Sequence, residues 1–205
     1  NSTAFLETAD SDKVHAIGNP TEGALLLWLR AQGQDYQQIR DEVETVSQLT
    51  FSTERKYMAT LVRDPKGRYL LFVKGAPEIV FSKSLQVATR DGLENALSQE
   101  PGLRETLAGY QNQAMRTLGF AYREVEEKDI RESLEKLAGE GLVFLGITAI
   151  SDPVRLDVGE AISECLHAGV AVKIVTGDTP ATAREIARQI GLWNPEEDAQ
   201  QNIIT

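Results

Sequence analysis

The stretch Arg68 to Phe81 reads RYLLFVKGAPEIVF, and its interpretation decides how the rest of the chain is read. An apolar strand from Tyr69 to Val73 runs into Lys74, Gly75, Ala76, Pro77 and Glu78 and then turns into a short helix. A lysine at the end of a buried strand, beside a glycine and a helix start, suits an anionic ligand. Glycine lets a ligand approach the backbone, and a helix N-terminus offers N–H groups with no intrahelical partner. Taken alone, the same letters also describe an ordinary strand-to-helix turn with a solvated lysine.

Upstream, KYMATLV and RYLLFVK flank the turn Asp64-Pro65-Lys66-Gly67. Proline second and glycine fourth suit a type I turn closed by a glycine bulge. Asp64 then pairs with Arg68, which sets Lys74 opposite Met58. Lys56 becomes its diagonal neighbour on the same face, about 7 Å away. Two ammonium groups and a thioether on one sheet face make a poor core and a poor salt bridge. They make a good floor for a flat, anionic ligand such as a nucleotide. A one-residue slip in register would put the two lysines on opposite faces.

The 205 residues suffice for one large domain, or one domain and part of a second. An apolar fraction of 41% and a charged fraction of 25% are those of a soluble globular protein. The net charge of −10, with no basic stripe, argues against nucleic acid as a partner. Any anion site must be a local cluster of cations working against the overall field. Cys165 is the only cysteine, which leaves no disulfide framework and no thiol metal site. Val158, Ala161, Ile162 and Leu166 recur around it at helical spacing and predict core packing. No signal peptide is visible. The longest apolar runs, ALLLWL and LVFLGITAI, fall short of the roughly 20 residues a membrane span needs.

VHAIG reads as a short strand. Asn19 then fits an N-cap, Pro20 the first helical position and Glu22 the third, with Gly33 ending the helix. A glutamate at that place suits a capping box as well as a ligand contact. DYQQIRDEV is amphipathic, and a strand lies around Val46–Phe51. Phe51 precedes the charged loop Ser52 to Lys56, where an aromatic ring is either core or an open stacking platform. Residues 84–102 read as loop, with Asp91-Gly92 and Pro101-Gly102 as turns. Leu103, Leu107, Tyr110, Ala114 and Leu118 mark a helix ending at Gly119, with Arg116 near its C-terminus, where a cation is favoured. FAYREV is a strand, EEKDIRESLEKLAGE a partly helical charged segment, and LVFLGITAI a buried strand.

From Asp152 the texture changes to strand, helix, strand, helix: LGITAI, LDVGEAISECLHAG, VAVKIVTGD and TPATAREIARQIG. That alternation predicts a parallel βαβ arrangement. Thr176, Gly177 and Asp178 fall at the carboxyl end of its second strand, where open α/β sheets bind ligands. The same residues also suit a plain strand-to-helix turn with Asp178 or Thr179 as cap. No G-x-x-x-x-G-K-[ST], G-x-G-x-x-G or H-E-x-x-H motif is present, and His15 and His167 have no partner triad.

GNPTEGALL, FSTERKYM, FVKGAPE, MRTLGFAYRE, DPVR and VKIVTGD-x-x-x-TAREIA, in this order, resemble the P-type cation-transporting ATPases. The likeness is to the calcium-pump branch and its bacterial relatives, and it covers roughly Ile17 to Trp193. It implies an α+β nucleotide-binding domain over residues 1–151, an antiparallel sheet flanked by helices. Residues 152–205 would be part of a Rossmann-like, haloacid-dehalogenase-like phosphorylation domain. It further implies that Phe51 stacks on adenine, that Glu22 contacts the adenine edge, and that Lys56 and Met58 line the pocket. Lys74 would sit deep beside the purine and phosphates, Gly75 would give close approach, and Arg116 would reach toward phosphates or ribose. Thr176 and Gly177 would hold the transferred phosphoryl group and Asp178 would order that site, with Asp152 and Arg155 at the hinge.

The family's phosphorylated aspartate, in D-K-T-G-T, is absent, as is the later G-D-G-x-N-D that helps hold magnesium. Thr53 stands where the family has an arginine. The chain is thus expected to be an excised, soluble piece from the cytoplasmic side of a membrane pump. It would bind Mg2+ and ATP beside the parent's remaining domains, without membrane contact and without hydrolysing ATP alone. The expected cargo is a cation, with calcium indicated by the likeness. The alternative is a stand-alone nucleotide-sensing or interaction module. A dehalogenase-type phosphatase would need a nucleophilic aspartate at an early strand end, and none is found.

Overall fold

The computed structural model describes residues 3–8, 14–113, 115–151, 154–177, 180–194 and 196. The chain divides into two compact units, one of residues 1–100 and 118–148, the other of 101–117 and 149–205.

In the first unit, β1 (Phe5–Thr8) and β2 (Val14–Ile17) pair antiparallel. Helix α1 (Pro20–Ala31) follows. Asn19 caps it, its Oδ1 accepting from the Thr21 and Glu22 N–H groups, and Gly33 leaves it at φ 74°. Helix α2 (Tyr36–Asp41) is capped by Asp35. Ala4, Leu26 and Tyr36 form a small core that joins β1, α1 and α2, with Leu6 and Leu29 packed against it.

A seven-stranded sheet makes the body of this unit. Its strands are β3 (Glu44–Leu49), β4 (Tyr57–Arg63), β5 (Tyr69–Gly75), β6 (Ser84–Thr89), β7 (Gly92–Asn95), β8 (Arg116–Val125) and β9 (Leu142–Ile150), in the order β3-β4-β5-β8-β9-β6-β7. The β4–β5 hairpin has the register its turn predicts, with Met58 opposite Lys74 and Arg63 opposite Tyr69. The Asp64 carbonyl accepts from Gly67 N–H, Gly67 sits at φ 82°, and Asp64 N–H donates to the Arg68 carbonyl. On one face of β4, β5 and β8 stand Met58, Thr60, Phe72, Lys74, Phe120 and Tyr122. The other face carries Ala59, Leu61, Leu71, Val73 and Ala121, all essentially inaccessible. Helix α3 (Pro77–Ser82) follows β5, and its Phe81 meets Phe144 edge to face at 5.2 Å. Burying such a side chain contributes about 1.5–3 kcal/mol.

Several expectations are corrected here. Residues 84–102 are not loop: β6 and β7 form a hairpin, and helix α4 (Ala96–Asn112) runs through Pro101. The sheet is mixed rather than antiparallel, because β6 pairs parallel with β9. Helix α4 stops at Asn112, so Arg116 opens β8 instead of ending a helix. Gly119 is a strand residue, and a Cβ on it would lie 2.8 Å from Pro77 Cα, so close packing explains this glycine. A short 3-10 turn (Glu127–Asp129) and helix α5 (Leu134–Leu137) precede β9.

The second unit contains most of α4 together with α6 (Val158–His167) and α7 (Pro180–Gln189). The strand expected at VAVKIVTGD does not form: residues 170–176 carry no strand, and Val175 is 96% exposed. A parallel strand exists only through its neighbours. LGITAI, its intended neighbour, lies within β9 of the large sheet. The apolar stripe of α6 accordingly covers no core, and none of its residues is buried. The Rossmann-like arrangement is therefore absent among the described residues.

Candidate functional site

Lys74 is the last residue but one of β5 and is 6% exposed. An ammonium at that depth needs a partner, since desolvating an unpaired charge costs several kcal/mol. Helix α1 supplies it. Glu22 shares one helix face with Leu25, Leu26 and Leu29, at spacings of three, four and seven. Lys74 Nζ donates to Glu22 Oε1 at 2.7 Å. The other oxygen, Oε2, accepts from Thr3 N–H (2.7 Å), Thr3 Oγ1–H (2.9 Å) and Ala4 N–H (3.1 Å). The Glu22 carboxylate is thus engaged by Lys74 and the Thr3–Ala4 segment, and Lys74 has an ion-pair partner, Glu22, that its own sheet face does not supply.

Burial pushes the Glu22 carboxyl up, but Lys74 and the Thr3 donors outweigh it and hold the group at about 2. Burial lowers the Lys74 ammonium. Glu22 pulls it back up, Arg40 adds a repulsion, and the net direction is down.

The pair lies on a cavity of about 620 Å3, whose walls include Leu25, Tyr36, Ile39 and Arg40 from the helices and Phe72 and Phe120 from the sheet. This volume is that of a small-molecule site. Leu145, Gly146, Ile147 and Thr148 of β9 close another side, and Thr148 Oγ1 is buried without a hydrogen-bond partner. Arg40 lies over the Tyr36 ring at 4.9 Å and donates to the Ala4 carbonyl at 3.0 Å. Thr3, Arg40 and Thr148 stand in no motif, and nothing within MRTLGFAYRE singles out Phe120; each reaches the cavity or the ion pair from a distant element.

The other expected site residues are distributed as follows. Phe51 follows β3 and is 56% exposed, its ring open to solvent. Met58 is buried directly opposite Lys74. Lys56 lies one residue before β4 and is exposed, with φ 59°, so strand alternation does not reach it and its diagonal placement beside Lys74 does not follow. Its N–H donates to the Ser52 carbonyl at 2.8 Å, and its own carbonyl accepts from Ala76 N–H at 2.9 Å. Gly75 meets the β4 backbone: a Cβ there would lie 2.3 Å from the Lys56 carbonyl oxygen and 2.6 Å from Tyr57 Cα. Phe51, Lys56, Met58 and Gly75 do not line the cavity around Lys74. Arg116 is exposed at the start of β8 and belongs to the second unit.

Thr176 and Gly177 are exposed, in the same unit. Arg155 is paired with Asp157 at 2.8 Å. Asp152 and Asp178 lie outside the described residues.

A family model for the P-type ATPase cytoplasmic domain N matches residues 1–157. The chain belongs to the P-type ATPase family. It is 36% identical over 195 residues to calcium-transporting ATPase PAT1 of Dictyostelium discoideum, covering 94% of this chain and 17% of that protein. It is 34% identical to calcium-transporting ATPase 2 of Cryptococcus neoformans, covering 94% of this chain and 15% of that protein. It is also 34% identical to human plasma membrane calcium-transporting ATPase 4, covering 89% and 15%. The chain therefore spans about a sixth of the length of these eukaryotic relatives. No helix among the described residues is long and apolar enough to cross a membrane. Nor do those residues contain a group of three or more His, Cys, Asp or Glu that could hold a metal ion.

Proposed function

We propose that this chain is the ATP-binding region of a calcium-transporting P-type ATPase, lying on the cytoplasmic side of its membrane. The observation that carries the proposal is Lys74, a buried cation at a strand end, ion-paired to Glu22 and directly opposite Met58, in a chain of this family. The purine lies toward Lys74 and Met58, with Phe51 as the exposed ring for stacking. Lys56 and Arg116 supply positive charge for the phosphates and ribose, and Gly75 shapes the strand end. Glu22 neutralises Lys74, so the triphosphate depends on these exposed cations more than on Lys74 itself.

Residues 1–151 form the nucleotide domain. Residues 152–205 are part of the phosphorylation domain, with Thr176, Gly177 and Asp178 toward the phosphoryl group and Asp152 and Arg155 at the hinge. Mg2+ accompanies ATP and neutralises phosphate charge during transfer. The nucleotide domain contributes by holding the substrate near the acceptor, which is catalysis by proximity. The isolated chain binds ATP without hydrolysing it.

Titration with a non-hydrolysable ATP analogue, followed by amide chemical shifts, tests this. Binding in the high micromolar to millimolar range is expected, with shifts around Phe51 and Lys74. Phe51→Ala, at an exposed position, should abolish it with the fold intact. An unchanged affinity in that variant would refute the pocket. Lys74→Glu is a poor control, because it sets a second carboxylate against buried Glu22; Lys74→Met removes the charge without that repulsion.

A further inference from the structure

We propose that Thr3, at the entry to β1, is a positioning residue for Lys74, acting through Glu22. The proposal rests on the nucleotide reading of the Lys74 site and deepens it. A carboxylate has about four lone-pair sites. On Glu22, Oε1 accepts from Lys74 Nζ, and Oε2 accepts from Thr3 N–H, Thr3 Oγ1–H and Ala4 N–H, all within 3.1 Å.

Three of the four donors belong to two consecutive residues just ahead of β1. That segment is tied down independently: Ala4 is fully buried, its carbonyl accepts from Arg40 Nη2 at 3.0 Å, and Leu6 N–H donates to Tyr36 Oη at 2.9 Å. The chain of contacts runs from the β1–β2 hairpin through Thr3 and Glu22 to the ammonium of Lys74. Every link is a direct hydrogen bond to or from a charged group, the kind that fixes geometry most strongly. Movement of the hairpin therefore changes where Lys74 stands and how readily it keeps its proton. The charged groups facing Lys74 are Glu22 from α1 and Arg40 from α2. Its strand neighbours Met58 and Phe120, and the β9 residues on the same cavity, carry no charge. Loosening Glu22 leaves the Arg40 repulsion unopposed.

The experiment uses the full 205-residue chain and its Thr3→Val, Thr3→Ser and Glu22→Gln variants. The Lys74 side chain is titrated by NMR, and affinity for the ATP analogue is measured in parallel. Thr3→Val removes one hydroxyl at an exposed position and should leave the fold intact, which the amide spectrum checks. The expected result is a lower titration midpoint for Lys74 in Thr3→Val, a larger drop in Glu22→Gln and restoration in Thr3→Ser. Analogue binding should weaken about fivefold in Thr3→Val, the loss of one hydrogen bond to a charged acceptor. An unchanged Lys74 midpoint in Thr3→Val overturns the proposal, whatever happens to binding. If the unaltered chain binds no analogue, the nucleotide reading falls, while the titration still decides the coupling. A shifted midpoint that Thr3→Ser fails to restore also overturns it.

Discussion

Glu22 occupies the third position of a helix, where a glutamate ordinarily serves the helix end, yet its carboxylate is engaged by Lys74, Thr3 and Ala4. Stability should report this directly. Its pKa of about 2 in the fold lies below the 4.5 of the free group. The folded state thus binds fewer protons, so the contribution is fully present above about pH 4.5 and is lost as pH falls toward 2. It amounts to something on the order of 3 kcal/mol. Urea denaturation across that window should show a steeper acid loss in the unaltered chain than in Glu22→Gln, whose amide does not titrate. Equal slopes would mean that the ion pair adds nothing. Gly75 makes a similar point: the sequence offered it as an opening for a ligand, and the fold uses its missing side chain to let β4 approach.

The β4–β5 hairpin was legible because its determinants are local. Proline and glycine in the turn fix the loop, the loop fixes the register, and Met58 falls opposite Lys74 as expected. Gly67, at φ 82°, is the residue the turn cannot replace cheaply. Gly67→Ala should cost about 1–2 kcal/mol, read as a lower denaturation midpoint with an unchanged m-value. A cost near zero would mean that the turn tolerates another geometry. The caps of α1 were legible for the same reason. Strands β6 and β7 were not: SLQVAT and GLEN are short and half polar, and β6 is held by a parallel partner, β9, some sixty residues away in the chain. VAVKIVT failed in the opposite direction. Its letters favour a strand, but residues 170–176 carry none.

The chain carries a net charge of −10, so an ATP analogue approaches an unfavourable mean field and a few local cations. Salt screens both. Affinity for the analogue should accordingly change by less than about twofold between roughly 20 and 150 mM salt. A steep loss, measured by the same amide-shift titration, would point to a concentrated basic surface that the composition does not suggest.

The amino-acid sequence alone determined the hairpin and its register, the caps of α1, the lysine at the strand end and the family motifs. Each depends on residues a few positions apart, where backbone geometry leaves few choices. Only the tertiary structure decided that Lys74 is neutralised by a glutamate 52 residues away and that Thr3 stands behind that glutamate. It alone decided that Lys56 leaves the strand face and that β9 joins the large sheet. Those outcomes turn on which distant elements bury one another, because a desolvated charge or an open strand edge must find its partner wherever the packed chain brings one.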